Sequence, residues 1–446
     1  MGRLRPGNAG AVGINNLHLR VDGYLCPNRC GSDRAMVRVL HTGDWHIGQT
    51  LRGYSREYEQ AQVFDQLIGI IAEREIDVLI VAGDIFDSQN PSGEAQRLFY
   101  ETIERLHRAR PSMKTVIVAG NHDAAGRLEA PHPLLARFNV RVVGNVRRRD
   151  GRIDAERHHI VLADEHKEIL LHILAVSYPT ATCLPALTRL EDEAGSPVVR
   201  AVKELYDELY ESIRPKLQGV PLIVTGHLHV MGAIQSEGAE RRILVGGQHA
   251  VPHDVFPDEA SYVALGHLHK AQRVGRDTVR YSGSLIPLSA TEQPYKHSVT
   301  LLSIDSSGIT MEHIPIERPL PFLRLPATGE IRLTDLRDHL AQLGLASDLE
   351  PHLRPFVQVR LAREGLLSGY REELDRIADG FPVRIVEARV EPLPGVAAQL
   401  DTAADAFTHL AERDPEEMFK LAFAKRFNAE PTVDHLDVFH RVQAEV

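Results

Sequence analysis

The chain has 446 residues, of which 43% are hydrophobic and 25% are charged, and its formal net charge is −10. This length suffices for one large domain with one or two smaller ones, and the composition is ordinary for a globular protein. The acidic balance argues against a protein that coats nucleic acid by bulk charge, although it leaves room for a local basic groove. Three cysteines are too few for a disulfide framework and indicate a reducing compartment. No apolar run is long enough to span a bilayer, so no membrane partner is expected.

Residues 1–35 differ from the rest of the chain in being rich in Gly, Asn and Arg. Their apolar stretches are too short for a signal peptide. Cys26 and Cys30 could begin a zinc site, but no second pair of ligands lies nearby. We expect this segment to be a disordered leader or a start-site artefact, with the functional chain beginning near Met36.

From residue 37 onward, short apolar runs alternate with amphipathic segments. Strands are predicted at 37–40, 78–82 and 116–119, and helices at 58–74 and 92–110. Parallel strands joined by helices have right-handed crossovers, so the loops after these strands are expected at one edge of a single sheet. Residues that are far apart in sequence can therefore meet there.

The following region continues this pattern and then changes to alternating strands. A strand is predicted at 169–176 and a long helix at 196–217, followed by hairpin-like strands at 278–281, 298–304 and 309–314. Residues 36–317 are thus predicted to form a mixed α/β domain in which two packed β-sheets are flanked by helices.

Two shorter segments follow. Residues 318–395 are predicted to form a small α+β unit, and Pro319 and Pro321 indicate a linker at its start. Its predicted elements are helices at 333–343 and 370–378 and strands at 357–361 and 383–390. Residues 396–446 are predicted to be a helical tail. Phe419, Phe423 and Phe427 lie four apart on one face of this tail, which needs an apolar partner, either the protein's own core or another protein.

Polar side chains that can bind metals follow the predicted strands. Five stretches show an apolar run, a small residue and then Asp, Asn or His, and the candidate ligands are Asp44, His46, Asp84, Asn121, His227, His267 and His269. Asp44 and His46 are two residues apart, so both side chains leave the same face of an extended segment. Asp84 can bridge two ions through its two oxygens. This set suits a two-metal centre, which clamps a phosphoryl group between ions about 3.5–4 Å apart.

The motifs HTGDWHIGQ, VAGDIFDS, AGNHD, TGHLH and ALGHLH, the last followed by YSGSLIPLS, resemble those of the calcineurin-like metallophosphoesterases. Within that superfamily they are most similar to the bacterial SbcD family, the nuclease subunits of SbcCD repair complexes. The resemblance is strong over residues 36–317 and weak beyond. It implies a four-layer sandwich, a DNA-positioning cap at 318–395, and a tail at 396–446 that docks on the coiled-coil ATPase SbcC.

The resemblance also implies a role for each candidate site residue. One ion would be held by Asp44, His46, Asp84 and His269, and the other by Asp84, Asn121, His227 and His267. His122 would be the acid that protonates the leaving oxygen, and Asp87 would orient that histidine. The native ions are expected to be Mn²⁺, although Fe²⁺ and Zn²⁺ suit the same ligands.

The function predicted from the resemblance is that of a manganese-dependent DNA nuclease. It would act as an exonuclease on duplex ends and an endonuclease on single strands, in repair, recombination and replication. It would work in the cytoplasm, associated with the nucleoid, as a homodimer within a heterotetramer that contains the ATPase. Two alternatives remain open: an ATPase-docking scaffold that binds DNA ends with idle catalysis, and a small-substrate phosphodiesterase.

Several other residues in or near the motifs carry weaker hypotheses. His229 could contact a phosphate or support the metal ligands from behind, although the ligand set is already complete without it. His249 and His253 could line the cleft or lie on the surface, and Trp45 is expected to be a packing residue. His158, His159 and the arginines at 147–149 are expected to form a solvated hairpin edge, and a contact of those arginines with DNA is the alternative.

Overall fold

The computed structural model describes residues 36–149, 152–180, 182–184, 196–236, 250–363 and 369–390, together with residues 423, 431–432 and 435–436. The predicted leader, His249 and most of the predicted helical tail lie outside these residues. Within the described ranges, no helix has both the length and the apolar character needed to cross a membrane.

The structure contains strands throughout residues 37–390. In chain order they are β1 (Val37–Thr42), β2 (Thr50–Leu51), β3 (Tyr54–Ser55), β4 (Val78–Ala82), β5 (Lys114–Val118), β6 (Val140–Val143), β7 (Arg148–Arg149), β8 (Arg152–Ile153), β9 (His159–Ala163), β10 (Ile169–Leu174), β11 (Leu222–His227), β12 (Tyr262–Gly266), β13 (Gln272–Val274), β14 (Arg276–Tyr281), β15 (Ser298–Asp305), β16 (Gly308–Pro315), β17 (Phe322–Leu325), β18 (Phe356–Leu361) and β19 (Arg384–Val390).

The α-helices connect these strands. They are α1 (Glu57–Glu73), α2 (Gly93–Ala109), α3 (Ala125–Glu129), α4 (His132–Leu135), α5 (Ala155–His158), α6 (Pro197–Leu217), α7 (Leu336–Ala341) and α8 (Tyr370–Ala378). Short 3₁₀ helices lie at Ala136–Phe138, His253–Val255, Ala290–Glu292, Leu333–Asp335 and Pro351–Leu353.

Two six-stranded sheets form the body of the protein, as predicted. The first has the order β16-β15-β1-β4-β5-β6, and the second has the order β13-β14-β12-β11-β10-β9. Strands β1, β4, β5 and β6 are mutually parallel, as are β10, β11, β12 and β14. The parallel arrangement brings the loops after β1, β4 and β5 to one edge, which confirms the expectation from the crossover rule.

Three apolar clusters hold the sandwich together. One lies between the sheets and contains side chains from both, among them Ile80, Val116, Ile223 and Tyr262. A second packs α1 and α2 on the outer face of the first sheet, and a third packs α6 on the outer face of the second. The central strand β4 is buried along its whole length, because helices cover one face of its sheet and the other sheet covers the opposite face.

A separate three-stranded sheet follows the sandwich. Its order is β17-β18-β19, all parallel, and α7 and α8 pack on one face of it through Leu336 and Leu374. Strand β17 is absent from the sequence prediction, because the prolines at 319 and 321 favour a linker there. The ring of Phe356 joins this sheet to the sandwich, with the guanidinium carbons of Arg384 and Arg56 lying 3.7 Å and 5.3 Å from its centroid.

The expected solvated hairpin edge near residue 150 is only partly present. Strands β7 and β8 do form a hairpin. His158, however, is completely buried, and its Nδ1 lies 2.7 Å from the carbonyl oxygen of Ala175. The prediction that this histidine is solvated was wrong, because α5 turns it inward beneath the second sheet.

Candidate metal centre

The five polar strand ends meet where the two sheets face each other. Three of them follow β1, β4 and β5 of the first sheet, and two lie at the ends of β11 and β12 of the second. Strand β4 packs against both β11 and β12. Because all five strands present their carboxyl ends to the same region, the side chains that follow them converge there.

The loops at this edge adopt unusual backbone conformations. Asp44, His46, Asp84 and His267 have positive φ angles of 50°, 45°, 47° and 102°. Their backbones are held by hydrogen bonds between the loops: Asp44 N–H donates to the Gly83 carbonyl and His46 N–H to that of Asp84, each at 3.0 Å. A positive φ is uncommon outside glycine, so the surrounding structure imposes these conformations on the candidate ligands.

Glycines at the strand ends allow the loops to approach one another. A Cβ on Gly120 would lie 2.1 Å from Oδ1 of Asp84, and one on Gly266 would lie 1.8 Å from the carbonyl oxygen of Ala82. Neither position has room for a larger residue. The small residue in each of these two motifs is therefore required by packing between the loops.

The first group of candidate ligands comprises Asp44, His46 and His269. One ligand atom of each lies within 4.8 Å of the others, and all three residues are buried. Oδ2 of Asp44 and Nε2 of His46 are buried and have no hydrogen-bond partner among the described residues. Burying such atoms unpaired is unfavourable, so this group fits a cation.

The second group comprises Asp84, His227 and His267, whose ligand atoms also lie within 4.8 Å of one another. Asn121 adds its amide oxygen, which lies 3.1 Å from Nε2 of His227 and 3.0 Å from Nδ1 of His267. The residues that the resemblance implies for a second ion are thus close together.

Asp84 lies between the two groups. Its Oδ2 is 3.5 Å from Nε2 of His46 and 3.2 Å from Nε2 of His227. One carboxylate oxygen therefore approaches an imidazole from each group, which is the arrangement that a bridging ligand requires. Oδ1 of Asp84 accepts a hydrogen bond from the backbone N–H of His122 at 2.8 Å, which fixes the carboxylate in place.

Three of the histidines present the same ring nitrogen to the site. Nδ1 of His46 donates to Oδ1 of Asp87 at 3.0 Å, Nδ1 of His227 to the Ala82 carbonyl at 2.8 Å, and Nδ1 of His269 to Oε1 of Glu292 at 2.8 Å. Each acceptor keeps the proton on Nδ1 and leaves the Nε2 lone pair for a metal. This pattern is typical of histidines that bind metals.

The electrostatics of the site also favour a cation. Burial raises the pKa of the Asp44 carboxyl. Burial disfavours the charged forms of Asp84 and His227 too, but their mutual attraction prevails, holding the pKa of Asp84 well below its usual range and raising that of His227 to about 9. In the absence of metal, a proton on His227 therefore supplies positive charge that the carboxylates need.

His122 lies beside the first group, where its ring centroid is 4.7 Å from that of His46. Its Nδ1 lies 2.8 Å from the backbone carbonyl oxygen of Asp87. Asp87 thus accepts a hydrogen bond from His122 through its backbone, while its carboxylate contacts His46 and lies within 4.8 Å of a ring nitrogen of His122. From the sequence, Asp87 is expected to orient His122. In the structure the same residue also contacts His46, a candidate metal ligand, so Asp87 can orient both histidines.

Two acidic residues support the site and have no role in the sequence analysis. Asp123 accepts hydrogen bonds from the backbone N–H groups of Ile85, Phe86 and Gly120, and burial, followed by the charge of Asp84, raises its pKa to about 6. Glu292 is completely buried, and burial disfavours its ionisation, but its bond to His269 holds its pKa low. The AGNHD motif could have indicated Asp123, whereas Glu292 ends a short 3₁₀ helix whose sequence shows no recognisable pattern.

The remaining candidates lie around this centre. Trp45 packs edge-on against Phe64, with ring centroids 4.9 Å apart, so the packing prediction is confirmed. His229 is half-buried and contacts the side-chain amide of Gln235. His253 is exposed. None of these three belongs to the groups of potential metal ligands found among the described residues.

Comparison with known protein families agrees with this geometry. Residues 37–271, more than half of the chain, match the family described as calcineurin-like phosphoesterase. Residues 318–427 match the SbcD_C family, described as the type 5 capsule protein repressor C-terminal domain. The chain therefore belongs to the calcineurin-like phosphoesterases.

Similar proteins with known names place this chain within one family of the calcineurin-like phosphoesterases. A protein of Rhodobacter capsulatus that is named as the SbcD component of nuclease SbcCD is 41% identical over 87% of this chain and 94% of its own length. The proteins of the same name from Bacillus subtilis and Escherichia coli K12 are 35% and 29% identical, over 60% and 79% of this chain and 66% and 85% of their own lengths. Within the phosphoesterases, the chain is a member of the SbcD family.

Proposed function

We propose that the protein is a DNA nuclease that hydrolyses phosphodiester bonds with two divalent metal ions and works with an SbcC-type ATPase. The observation that carries this proposal is Asp84, whose carboxylate lies between an imidazole of each ligand group. The relatives named as the SbcD component of a nuclease supply the substrate class.

The candidate ligands divide between two ions as the resemblance implies. Asp44, His46 and His269 would hold one ion, Asn121, His227 and His267 would hold the other, and Asp84 would contact both. Two such ions supply Lewis acidity at the phosphoryl group and make a bound water more acidic. The mixed oxygen and nitrogen ligands suit Mn²⁺, which is our choice of native ion.

Side chains of the protein then transfer a proton to the leaving group or hold protons on the histidine rings. The Asp87 carbonyl accepts a hydrogen bond from Nδ1 of His122, so Nε2 is the nitrogen that can give a proton to the leaving oxygen. His122 is buried, which limits the access of water to its ring. Asp87 and Glu292 keep His46 and His269 in their metal-binding tautomers.

The other segments would connect this centre to its partners. We propose residues 36–317 as the nuclease domain, 318–395 as a cap that positions DNA, and 396–446 as the tail that docks on the ATPase. The SbcD_C match over 318–427 supports assigning the last two to this family. The protein would act in the cytoplasm, at the nucleoid, as a homodimer within a heterotetramer.

The test uses the purified full chain, Mn²⁺ and end-labelled duplex DNA, with EDTA as the control. Shortening of the labelled strand that depends on Mn²⁺ is the expected result. Hydrolysis confined to small phosphate esters would favour the small-substrate phosphodiesterase instead. DNA binding without cleavage, both alone and with the ATPase, would favour the scaffold.

A further inference from the structure

A buried arginine of the sandwich lies under the small domain, which is formed by β17–β19, α7 and α8. Arg56, immediately before α1, is only 1% exposed, and its guanidinium carbon lies 5.3 Å from the ring centroid of Phe356 on β18. Phe356 belongs to an apolar cluster that also contains Leu51 of the sandwich, Leu320 and Phe322. The cluster keeps water away from Arg56, so this guanidinium needs hydrogen-bond acceptors within the protein.

The acceptors of Arg56 come from three segments of the sandwich. Nε and Nη2 donate to the two carboxylate oxygens of Glu59 at 2.7 Å and 3.1 Å. Nη1 donates to Oε1 of Gln49 at 3.1 Å and to the backbone carbonyl oxygen of Pro287. Because the guanidinium is a rigid fork, these hydrogen bonds fix the three segments relative to one another.

The segment 287–292 connects Arg56 to the metal centre. The side-chain amide of Gln49 donates to the Leu288 carbonyl at 3.0 Å, and the Leu288 N–H donates to Oε2 of Glu292 at 2.8 Å. The other carboxylate oxygen of Glu292 accepts a hydrogen bond from Nδ1 of His269, also at 2.8 Å. Arg56 thus reaches a candidate metal ligand through a continuous series of hydrogen bonds and short stretches of backbone.

The small domain also contacts the neighbourhood of this segment directly. Ala290 packs on the cluster that contains Phe322 and Phe356, and the side-chain amide of Gln293 donates to the Phe322 carbonyl at 3.2 Å. Arg384 of β19 lies over the Phe356 ring, with its guanidinium carbon 3.7 Å from the centroid. The position of the small domain and the position of the segment 287–292 are therefore linked both through Arg56 and by direct packing.

We propose that docking of the small domain on the sandwich strengthens binding of the metal ion that His269 would hold, with Arg56 as the positioning residue. This inference rests on the proposed function, which supplies the two-ion centre. When the domain is docked, Phe356 excludes water from Arg56, and charge-assisted hydrogen bonds are stronger in such surroundings. These bonds hold Glu292 where it keeps the proton on Nδ1 of His269. When the domain moves away, water competes for the guanidinium and the support of His269 weakens.

The first experiment measures Mn²⁺ binding to the full chain without DNA, from the electron paramagnetic resonance signal of free Mn²⁺. Phe356→Leu stays apolar but removes the ring face, and is expected to raise the Kd of one of the two ions about fivefold. Arg56→Lys keeps the charge but loses the fork, and is expected to raise the same Kd about tenfold. Phe381→Leu is the matched control, because its ring lies 5.9 Å from the guanidinium carbon of Arg337 within the small domain.

Hydrogen exchange of the metal-free protein gives a second readout, which involves no metal. The backbone N–H of Leu288 donates to the Glu292 carboxylate, and that of Glu292 donates to the Ser289 carbonyl. We expect both to exchange faster in Phe356→Leu and Arg56→Lys than in the wild type, while β4 keeps its protection. Phe381→Leu should leave the exchange of the segment 287–292 unchanged.

A variant at the exposed rim of the interface covers the case in which Phe356→Leu does not fold. Asp375 on α8 lies 3.6 Å from Arg52 of the sandwich, and both side chains are exposed. Asp375→Lys places two positive charges together and loosens the docking without disturbing a core. It is expected to raise the same Kd about two- to threefold.

Unchanged Mn²⁺ binding in Phe356→Leu and Asp375→Lys would overturn the inference, as would an equal loss of affinity in Phe381→Leu. Weaker binding in Arg56→Lys alone would also overturn it, because Arg56 would then act independently of the small domain. If the wild-type chain binds no Mn²⁺, the proposed function fails. Hydrogen exchange of the segment 287–292 then still decides whether docking of the small domain orders it.

Discussion

Nδ1 of His122 lies 2.8 Å from the backbone carbonyl oxygen of Asp87. A carbonyl oxygen can only accept a hydrogen bond, so the contact keeps a proton on Nδ1 and makes Nε2 the nitrogen that exchanges protons with a substrate. This relationship survives replacement of the Asp87 side chain, because it involves only the backbone. Replacing the Asp87 side chain therefore tests its carboxylate while this backbone hydrogen bond remains.

Replacing His122 with alanine is expected to abolish proton transfer without removing the metal ligands. We expect His122→Ala to keep the metal content of the wild type and to lower kcat on DNA by about 10²–10⁴-fold. Metal content is measured by mass spectrometry after desalting, and kcat on end-labelled duplex. Loss of either ion in this variant would show that His122 is a ligand and would contradict its assignment as the acid.

Replacing Asp87 with alanine is expected to act mainly on metal binding. Oδ1 of its carboxylate lies 3.0 Å from Nδ1 of His46 and accepts a hydrogen bond that keeps the proton on that nitrogen. Loss of such a partner lowers the metal affinity of a site about 10–100-fold. Titration of activity with Mn²⁺ should show a higher midpoint and a nearly normal plateau. A plateau as low as that of His122→Ala would mean that the Asp87 carboxylate serves the catalytic histidine instead.

Replacing Glu292 with glutamine tests a residue that the sequence did not reveal. The carboxylate accepts hydrogen bonds from His269 and Ser236 and from the backbone N–H of Leu288, all inside the protein. We expect Glu292→Gln to weaken Mn²⁺ binding about 10–100-fold and to lower the melting temperature of the metal-free protein. Exposed Glu330→Gln serves as the control. An Mn²⁺ titration identical to that of the wild type would contradict this role.

Replacing each of two glycines with alanine should change the stability of the protein in opposite directions. A Cβ on Gly266 would lie 1.8 Å from a backbone oxygen, whereas one on Gly69, exposed on α1, meets no atom within 4 Å. Gly266→Ala is expected to destabilise the protein by about 2 kcal/mol or more, and Gly69→Ala to stabilise it by about 0.5–1 kcal/mol. Urea unfolding of the metal-free proteins gives both values. A stable, fully active Gly266→Ala protein would argue against the loop packing described above.

His297 is expected to contribute to acid instability. Burial lowers its pKa from 6.5 to about 4, so as pH falls below 6.5 the unfolded chain takes up a proton before the folded chain does. The contribution of neutral His297 to the free energy of unfolding is therefore fully present above pH 6.5, and it is lost progressively as the pH falls to 4. Between pH 7 and pH 5, His297→Gln should lose about 2 kcal/mol less stability than the wild type, measured by urea unfolding in EDTA. Equal losses in both proteins would contradict this.

The elements with clear periodicity were predictable from the sequence. Helix α8 was predicted with its observed ends, and the runs at β1, β4 and β5 were recognisable because strands buried on both faces are apolar throughout. Their alignment also followed from local rules, since right-handed crossovers bring the strand ends together. The convergence of Asp44, Asp84 and Asn121 was thus foreseeable.

The features that sequence reasoning missed depend on tertiary packing. Glu292 reaches His269 from the short 3₁₀ helix Ala290–Glu292, whose position is fixed only by the folded chain. Strand β17 was hidden because its hydrogen bonds come from β18, more than thirty residues later.

The metal centre requires uncommon backbone conformations, as the positive φ angles of four candidate ligands show: Asp44, His46, Asp84 and His267. A sequence optimised only for folding would more often place glycine at such positions, because glycine adopts this conformation with less strain than residues that have a Cβ. Aspartate and histidine are tolerated there because the sandwich around them is stable enough to enforce the geometry. Selection of the most heat-resistant variants, without a demand for activity, is therefore expected to discard these four side chains early.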